Sequence, residues 1–300
     1  MKKYVKIAYL VIAYMDPEQL KRLAARLAGT SDVFVHINAS VDAAPFQRAL
    51  SDVRGQGKIF FSKERYRIVW GGYSILKATF SMMEQAFQQD TYDRFVLLTG
   101  LDYPIRTDEE IQSFFLSNAD TEYIHADVVS GERFGHLYYH ASRDHRILHK
   151  CFQLYEKMLR KSGKKGKKDY VVYHGKEYRL YGIAPKWALS GACASYLLDF
   201  YKNSRGFNRY FQLMHAPDDF YVATVLFQSR FRDSIESRED IFRIMWLPDD
   251  KGAKILDQED LEELKSGNCL YAKKFQSGYS EELIRILDQP GAERRSGVKG

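Results

Sequence analysis

The first half of the chain alternates apolar runs with amphipathic segments. Residues 6–14 (KIAYLVIAY) are apolar at almost every position, which is typical of a parallel strand buried on both faces. Asp16 and Pro17 then have the signature of a helix N-cap and first helical residue, for a helix that should end near Gly29. The same alternation predicts further strands at 32–37, 58–61, 94–98 and 122–125, and helices at 43–53, at 73–87 and after the capping box of Thr107 and Glu110.

The second half is less regular. It predicts a helix over 144–161, a hairpin of 170–173 and 177–181 around His174–Gly175, helices beginning at Ser190 and Pro217, a strand over 241–246, and short helices near 257–264 and 280–287. Neither a repeat nor a linker interrupts the chain. We therefore expect one domain over residues 1–290, followed by a disordered polar tail over 291–300.

Alternating strands and helices predict an α/β fold with a mainly parallel central sheet and helices on both faces. Ligands of such sheets bind where the strands end at their carboxyl edge. Candidate binding residues should therefore lie in the segments that follow the predicted strands, which are 13–14, 38–40, 70–71 and 100–104.

Charge and cysteine content narrow the partners and the compartment. The net charge is +6, and part of the excess falls between Lys157 and Lys168. Such a run is usually a solvated loop, and the alternative is contact with an anionic membrane at about 1 kcal/mol for each basic residue. No nucleic-acid-binding motif accompanies it. Three widely spaced cysteines (Cys151, Cys193 and Cys269) argue against a disulfide framework and a zinc site, and favour a reducing compartment.

The N-terminal apolar stretch is too short to span a bilayer, and no cleavage signal follows it. We therefore expect a cytoplasmic protein. His145 and His149 have the i, i+4 spacing of a metal pair on a helix, but no glutamate follows the first histidine. We interpret both as ordinary surface or core histidines.

Four segments carry the candidate chemistry: 69–74 (VWGGYS), 97–105 (LLTGLDYPI), 216–224 (APDDFYVAT) and 270–275 (LYAKKF). In this order and spacing they resemble the core-2/I-branching β-1,6-N-acetylglucosaminyltransferase family, which also includes the peptide O-xylosyltransferases. The resemblance runs from about residue 8 to residue 275. It implies a GT-A-like nucleotide-diphospho-sugar transferase fold, a UDP-sugar donor, inversion at the anomeric carbon and no divalent metal. The chain accordingly has no Asp-x-Asp motif.

The resemblance also assigns roles. Asp219 occupies the position of the family's general base, which is normally glutamate, and Asp218 beside it suits a helix cap. Lys274 matches a lysine that stabilises the departing diphosphate, and Lys254 is our choice for a second cation, with Arg243 as the alternative. Asn38 stands where the family has an aspartate near the nucleoside.

The complete set of implied site residues is as follows: donor-binding Ile12, Ala13, Tyr14, Asn38, Trp70, Asp102, Lys254 and Lys274; acceptor-binding Trp187, Asp218 and Trp246; catalytic Asp219; and no metal ligand. Each of the three tryptophans could equally pack against the protein. Residues 1–125 would form the UDP-sugar-binding half, and residues 126–290 the acceptor and catalytic half.

The leading hypothesis is an inverting, metal-independent glycosyltransferase that moves N-acetylglucosamine from a UDP-sugar to a hydroxyl of a glycan or glycolipid, without a cofactor. Transfer of xylose is the first alternative. A non-catalytic nucleotide- or carbohydrate-binding relative is the second, and a membrane-surface scaffold is the third. We expect a protein that associates peripherally with the inner membrane face, through residues 157–168, and that takes part in polysaccharide synthesis.

Overall fold

The computed structural model describes residues 4–129, 143–162, 169–237, 241–248 and 252–289. The predicted tail over 291–300 and the lysines of 163–168 lie outside these residues.

The described strands are β1 Ile7–Ala13, β2 Asp32–Ile37, β3 Ile59–Phe61, β4 Arg94–Thr99, β5 Asp102–Pro104, β6 Glu122–Val128, β7 Tyr170–Tyr173, β8 Lys176–Arg179, β9 Tyr181–Ser190, β10 Ile235–Glu236, β11 Phe242–Ile244 and β12 Tyr271–Lys273. Within the described residues the main sheet has the order β10-β6-β9-β4-β1-β2-β3, and a smaller sheet has the order β11-β12-β5. The pairs β1–β2, β1–β4, β2–β3 and β10–β6 are parallel.

The described helices are α1 Pro17–Ala28, α2 Ala44–Leu50, α3 Ser74–Gln89, α4 Asp108–Ser117, α5 Arg146–Lys161, α6 Gly191–Asn203, α7 Arg205–Gln212, α8 Tyr221–Leu226, α9 Leu261–Lys265 and α10 Glu281–Asp288. Short 3₁₀ helices cover Pro217–Asp219, Arg232–Ser234 and Gln258–Asp260. None of these described helices combines the length and the apolar character that crossing a membrane requires.

Strand β1 is buried along its whole length because both faces of the sheet are covered. Its alternate residues enter two separate cores: Tyr9 and Val11 face one, and Leu10 and Ile12 face the other. Helix α1 packs on the first core and helix α3 on the second. The expected α/β class, a mainly parallel sheet with helices on both faces, is confirmed.

Strand β9 joins the two halves of the chain, and the sequence did not predict it. It runs antiparallel between β4 and β6, with Leu189 opposite Phe95 and Trp187 opposite Ile124. Pro185 obscured the strand, because proline interrupts most strand patterns. Both sequence halves therefore contribute to one sheet.

Local start signals in the sequence are confirmed. The Asp16 side chain accepts a hydrogen bond from the Gln19 N–H at 3.0 Å, and Thr107 and Glu110 form the predicted capping box. Positive φ angles at His174 and Gly175 turn the β7–β8 hairpin. The prediction of one continuous helix from Pro217 is wrong: Phe220, at φ −120°, separates a 3₁₀ turn from α8.

Candidate active site

Three parallel strands end together at the carboxyl edge of the main sheet. Beyond β2, the N–H of Asn38 donates to the carbonyl of Ala13 at 2.8 Å, and beyond β4 the N–H of Gly100 donates to the carbonyl of Ile12 at 2.9 Å. A Cβ on Gly100 would lie 3.1 Å from that of Ala13, so glycine allows this close approach. Ile12 and Ala13 are buried in the edge, and Tyr14 just beyond them is exposed.

The Asn38 side chain is used for structure. Its Nδ2 donates to the carbonyl of Ile68 at 2.9 Å, and its Oδ1 accepts the N–H groups of Ile68 and Ser40 at 3.1 and 3.0 Å. Asn38 is 7% exposed. It therefore fixes the segment that leads to Trp70.

Trp70 is 73% exposed at the rim of this edge. Its ring meets His215 edge-on, with centroids 5.1 Å apart, and the Arg143 guanidinium lies 5.0 Å from its centroid. Burial lowers the pKa of His215 to about 4, so the imidazole is neutral at pH 7. His215 and Arg143 thus hold the indole in place, while most of its surface remains exposed to solvent.

The Trp70 loop is docked on the segment that carries the candidate base. The N–H of Ala216 donates to the carbonyl of Gly71 at 3.0 Å. Gly71 has φ +71°, and a Cβ there would lie 2.8 Å from the His215 ring, so both backbone conformation and space require glycine.

Asp144 anchors the other end of the same loop. Its carboxylate accepts the N–H of Ser74 at 2.9 Å and the Ser74 hydroxyl at 2.7 Å, at the start of α3. A carboxylate at a helix N-terminus also suits the helix dipole. Sequence reasoning missed this role because 70 residues separate the partners.

Asp218 and Asp219 lie half-buried on the 3₁₀ turn. Burial raises the pKa of Asp218 to about 6. Burial and repulsion from the Asp218 carboxylate raise the pKa of Asp219 well above its ordinary value. A carboxylate with a raised pKa removes a proton more effectively near neutral pH.

The backbone of Asp219 is seated against β9. A Cβ on Gly182 would lie 3.0 Å from the Asp219 carbonyl and 2.4 Å from the Phe220 ring. Gly182 thus allows the close contact between the acidic turn and the sheet, and this strand fixes the turn.

Lys254 and Lys274 lie on adjacent backbone segments. The N–H of Lys274 donates to the carbonyl of Lys254 at 3.4 Å, and the next residue, Phe275, donates to the carbonyl of Leu101 at 2.9 Å. Leu101 follows Gly100 at the end of β4. The structure therefore brings the backbones of these two predicted cations together beside the carboxyl edge.

Their electrostatic states differ. The Lys254 Nζ lies 2.5 Å from Asp260 Oδ1, and this bond raises the pKa of Lys254. The alternative cation, Arg243, is paired with Glu263 at 2.5 Å. Lys274 has no carboxylate partner among the residues that the structure describes. The Lys274 side chain is half-buried.

Asp102 is fully buried and paired with the Lys186 ammonium, which is almost as deeply buried. Its Oδ2 also accepts the Thr99 N–H at 2.5 Å and the Thr99 hydroxyl at 3.0 Å. Asp102 thus shapes the turn after β4 instead of offering a free carboxylate. Lys186, an isolated lysine in the apolar strand β9, was a signal that sequence reasoning overlooked.

The remaining two tryptophans differ sharply in exposure. Trp187 is 1% exposed and packs in the core, so its ring offers no free face to an acceptor sugar in this structure. The backbone of Trp246 forms an isolated antiparallel β-bridge with Ala253, and the residue is 63% exposed. It remains available to a ligand.

The two ends of the candidate site are related through β9. Gly182 contacts the Asp219 turn, and Lys186 bonds Asp102, whose backbone pairs with Lys273 on β12. Four residues of strand span roughly 13 Å. The site therefore joins an acidic end at Asp218 and Asp219 to a basic end at Lys254 and Lys274.

Two further features bear on what other ligands the protein can hold. Among the described residues, no group of three or more His, Cys, Asp or Glu side chains is arranged to hold a metal ion. A cavity of about 410 Å³ lies at the amino ends of β1 to β3, lined by residues that include Lys6, Asp32 and Asp90. It is at the opposite edge of the sheet and shares no residue with the candidate site.

Comparisons with known proteins agree with the sequence motifs. Residues 7–265 match the model of the family described as Core-2/I-Branching enzyme. Over 134 residues the chain is 26% identical to xylosyltransferase 2 of Homo sapiens and 25% identical to xylosyltransferase 2 of Rattus norvegicus. Each match covers 43% of this chain and 15% of the relative, so the chain spans a small part of these relatives' length.

A structural match was also found, to a structure titled as a putative glucose-1-phosphate thymidylyltransferase from Bacillus anthracis in complex with a sucrose. It has a TM-score of 0.32 and 10% identity, over 64% of this chain and 74% of that chain. That score is too low to carry an argument about this chain. The family match, in contrast, covers most of the sequence: the protein belongs to the Core-2/I-Branching enzyme family.

Proposed function

We propose that this protein is an inverting glycosyltransferase that moves a sugar from a UDP-sugar to a hydroxyl of a glycan or glycolipid, without a divalent metal or another cofactor. Membership of the Core-2/I-Branching enzyme family supports sugar transfer. N-acetylglucosamine is our first choice of sugar. Xylose is the second candidate, because the similar proteins are named xylosyltransferase 2.

The observation that carries the proposal is the acidic turn docked on the Trp70 loop. The carbonyl of Gly71 accepts the Ala216 N–H, which brings Asp218 and Asp219 to the rim where the indole is exposed. Asp219 acts as the general base: it removes the proton of the acceptor hydroxyl as that oxygen attacks the anomeric carbon. Its raised pKa suits this task, and the neighbouring Asp218 carboxylate contributes to it.

As UDP leaves, negative charge develops on its diphosphate at the basic end of the site. Lys274 stabilises the departing diphosphate, because preorganised cations act where charge develops in the transition state. Lys254 joins it by exchanging the Asp260 carboxylate for the diphosphate. The Lys254 side chain is 36% exposed, and the buried Asp260 carboxylate keeps the N–H of Asp257 as a partner. Two fixed lysines take the role that a metal ion has in other sugar transferases.

The strand ends hold the nucleoside. Ile12, Ala13 and Tyr14 lie at the end of β1, and the exposed Trp70 ring offers a flat face to uracil. Asp102 supports this pocket from within the protein through Thr99, and Trp246 is the exposed aromatic residue available to the acceptor.

The aspartate at position 219 is one methylene shorter than the glutamate of the family pattern. Displacement of a catalytic group by about 1 Å can lower a rate by about 10²-fold. We propose that the acceptor sits closer to the turn here, with Asp218 positioning it. A site that binds UDP but transfers nothing would instead indicate the non-catalytic alternative.

We also propose that the protein works on the cytoplasmic side of a membrane. None of the three cysteines, all of which the structure describes, forms a disulfide bond: Cys151 is exposed, Cys193 is buried and Cys269 is half-buried. Cysteines outside disulfide bonds fit a reducing compartment. Labelling of the exposed Cys151 in intact and permeabilised cells tests the compartment.

Calorimetric titration of UDP, UDP-N-acetylglucosamine and UDP-xylose in EDTA tests the donor assignment. We expect binding in EDTA, with a preference that identifies the sugar, and a loss of at least tenfold in Lys274→Ala, because a charged hydrogen bond contributes about 1.5–3 kcal/mol. Lys273→Ala tests the neighbouring lysine. Lys58→Ala, at the opposite edge of the sheet, is the charge control. Absence of binding in the wild type, or equal binding by Lys274→Ala, contradicts the assignment.

A further inference from the structure

Helix α5 presents an apolar stripe to solvent. Ile147 is 79% exposed, Leu154 63% and Met158 63%. At about 100° per residue these three side chains fall within roughly 40° around the helix axis. Large apolar side chains gathered on one helix face mark a docking surface, whereas singly scattered ones do not.

The same helix carries a basic stripe next to the apolar one. Arg146, Lys150, Lys157 and Lys161 are exposed, and none has an ion pair in the part of the chain that the structure describes. They fall within roughly 60° around the axis, directly beside Leu154. Glu156 is the single acidic residue in the helix sequence. The charge of this face is therefore strongly positive.

An anionic bilayer complements both stripes. Helices with Lys and Arg on one face and apolar residues on the other lie in the plane of the membrane interface, with the apolar side about 5–10 Å into the headgroup boundary. The sequence after α5 adds lysines at 164, 165, 167 and 168, which extends the positive charge. A second copy of this chain would carry the same positive face, so charge disfavours pairing through α5.

The position of α5 relates this surface to the candidate site. Asp144, two residues before the helix, is bonded to Ser74, and Arg143 lies over the Trp70 ring. The start of α5 is thus tied to the rim of the site. A membrane bound along α5 lies beside the opening at Trp70.

We propose that α5 is an interfacial membrane-binding helix, and that it docks the protein on anionic lipid with the rim of the candidate site beside the bilayer. The docking is independent of catalysis. If the proposed function also holds, the docked position supplies acceptors that are anchored in the lipid surface.

Vesicle co-sedimentation of the full chain tests this proposal. Vesicles of phosphatidylcholine alone are compared with vesicles that also contain about 30% phosphatidylglycerol, an anionic lipid. We expect binding to the anionic vesicles alone, weakened by high salt because exposed charges are screened. Lys150→Gln with Lys157→Gln should weaken binding about 25-fold, at about fivefold for each basic residue. The control pair, Lys58→Gln with Lys77→Gln, removes the same charge from exposed positions on other elements and should have little effect.

The apolar stripe has its own variant. Leu154→Ser with Met158→Ser should weaken binding at least tenfold, because each side chain loses favourable transfer from water. Both side chains are mostly exposed in the free protein, so thermal unfolding should be unchanged, which separates lost docking from lost folding. Titration with UDP should also be unchanged in both variants.

Three outcomes overturn the proposal. The first is no binding to anionic vesicles. The second is equal binding by the wild type and both helix variants. The third is a dimer in analytical ultracentrifugation that Leu154→Ser with Met158→Ser dissociates, which would show that a second copy covers the stripe.

Discussion

The Asn38 side chain bonds both backbone polar groups of Ile68, donating to its carbonyl at 2.9 Å and accepting its N–H at 3.1 Å. One amide thus connects the end of β2 to the loop that carries Trp70. An amide provides a donor and an acceptor together, whereas an ionised carboxylate can only accept. In the family that the sequence resembles, the corresponding position is expected to carry an aspartate; in this chain the Asn38 amide holds the loop.

Asn38→Asp should therefore destabilise the loop instead of restoring a better site. The carboxylate cannot donate to the Ile68 carbonyl, and we expect a loss of about 1–3 kcal/mol in the free energy of unfolding together with weaker UDP binding. Urea unfolding and calorimetry measure the two effects. Asn203→Asp, at an exposed helix end, is the control. Tighter UDP binding by Asn38→Asp would contradict the clamp.

The buried pair of Asp102 and Lys186 gives a second stability prediction. Lys186→Met leaves the Asp102 carboxylate buried without its cation, and we expect a loss of about 3–5 kcal/mol. The double variant with Asp102→Asn should recover part of it, because the stranded charge is gone. A double-mutant cycle in urea measures the coupling. A single Lys186→Met change that leaves stability unaltered would show that the pair is not coupled.

The exposure of the three tryptophans predicts three different phenotypes. Trp70→Ala should weaken UDP binding by roughly 1–3 kcal/mol, the usual contribution of base–aromatic stacking, without a change in stability. Trp246→Ala should raise the acceptor KM and leave UDP binding unaltered. Trp187→Phe should destabilise the core and leave both affinities unaltered.

Calorimetry, kinetics and thermal unfolding of the same three variants separate these effects. If Trp187→Phe weakens UDP binding without lowering the stability of the fold, the buried Trp187 has a role in donor binding that packing alone does not explain. Unaltered UDP binding by Trp70→Ala would remove the indole from the donor site.

The raised pKa of Asp218 predicts how stability depends on pH. In the folded protein this pKa is about 6, above the ordinary value of 3.8, so the folded state binds more protons between about pH 4 and pH 6. The free energy of unfolding should therefore fall as pH rises through this window. Asp218→Asn should flatten the dependence and be more stable than the wild type at pH 7.

Urea unfolding at several pH values measures this, with the exposed Asp199→Asn as control. The same Asp218→Asn change should shift the acidic limb of kcat/KM to lower pH, because repulsion on the Asp219 carboxylate is removed. If the free energy of unfolding rises from pH 4 to pH 6 by the same amount in the wild type and in Asp218→Asn, the burial of Asp218 and Asp219 is contradicted.

Local signals in the sequence predicted much of the fold, and distant pairings account for what was missed. The apolar run of β1, the Asp16 cap and the Thr107–Glu110 box are encoded by neighbouring residues, and each is confirmed. Strand β9 was missed because its stability comes from β4 and β6, far away in sequence, and because Pro185 breaks its pattern.

The site shows the same division. Motif order placed Lys274 and Asp219 among the site residues, but their roles stay predictions. Motif order could not show that Asp102 is neutralised by Lys186, that Asp144 anchors the Trp70 loop or that Trp187 is buried. These three features depend on contacts between residues far apart in the chain, which periodicity and spacing cannot predict.

The most direct test of the central claim follows the anomeric proton by NMR. Wild type and Asp219→Asn are incubated in EDTA with UDP-N-acetylglucosamine or UDP-xylose and a panel of glycan acceptors. We predict a first-formed product of inverted configuration from the wild type, and a rate about 10²–10⁴-fold lower in Asp219→Asn, with UDP binding retained. A product of retained configuration, a reaction that requires added metal, or an equal rate in Asp219→Asn would contradict the account.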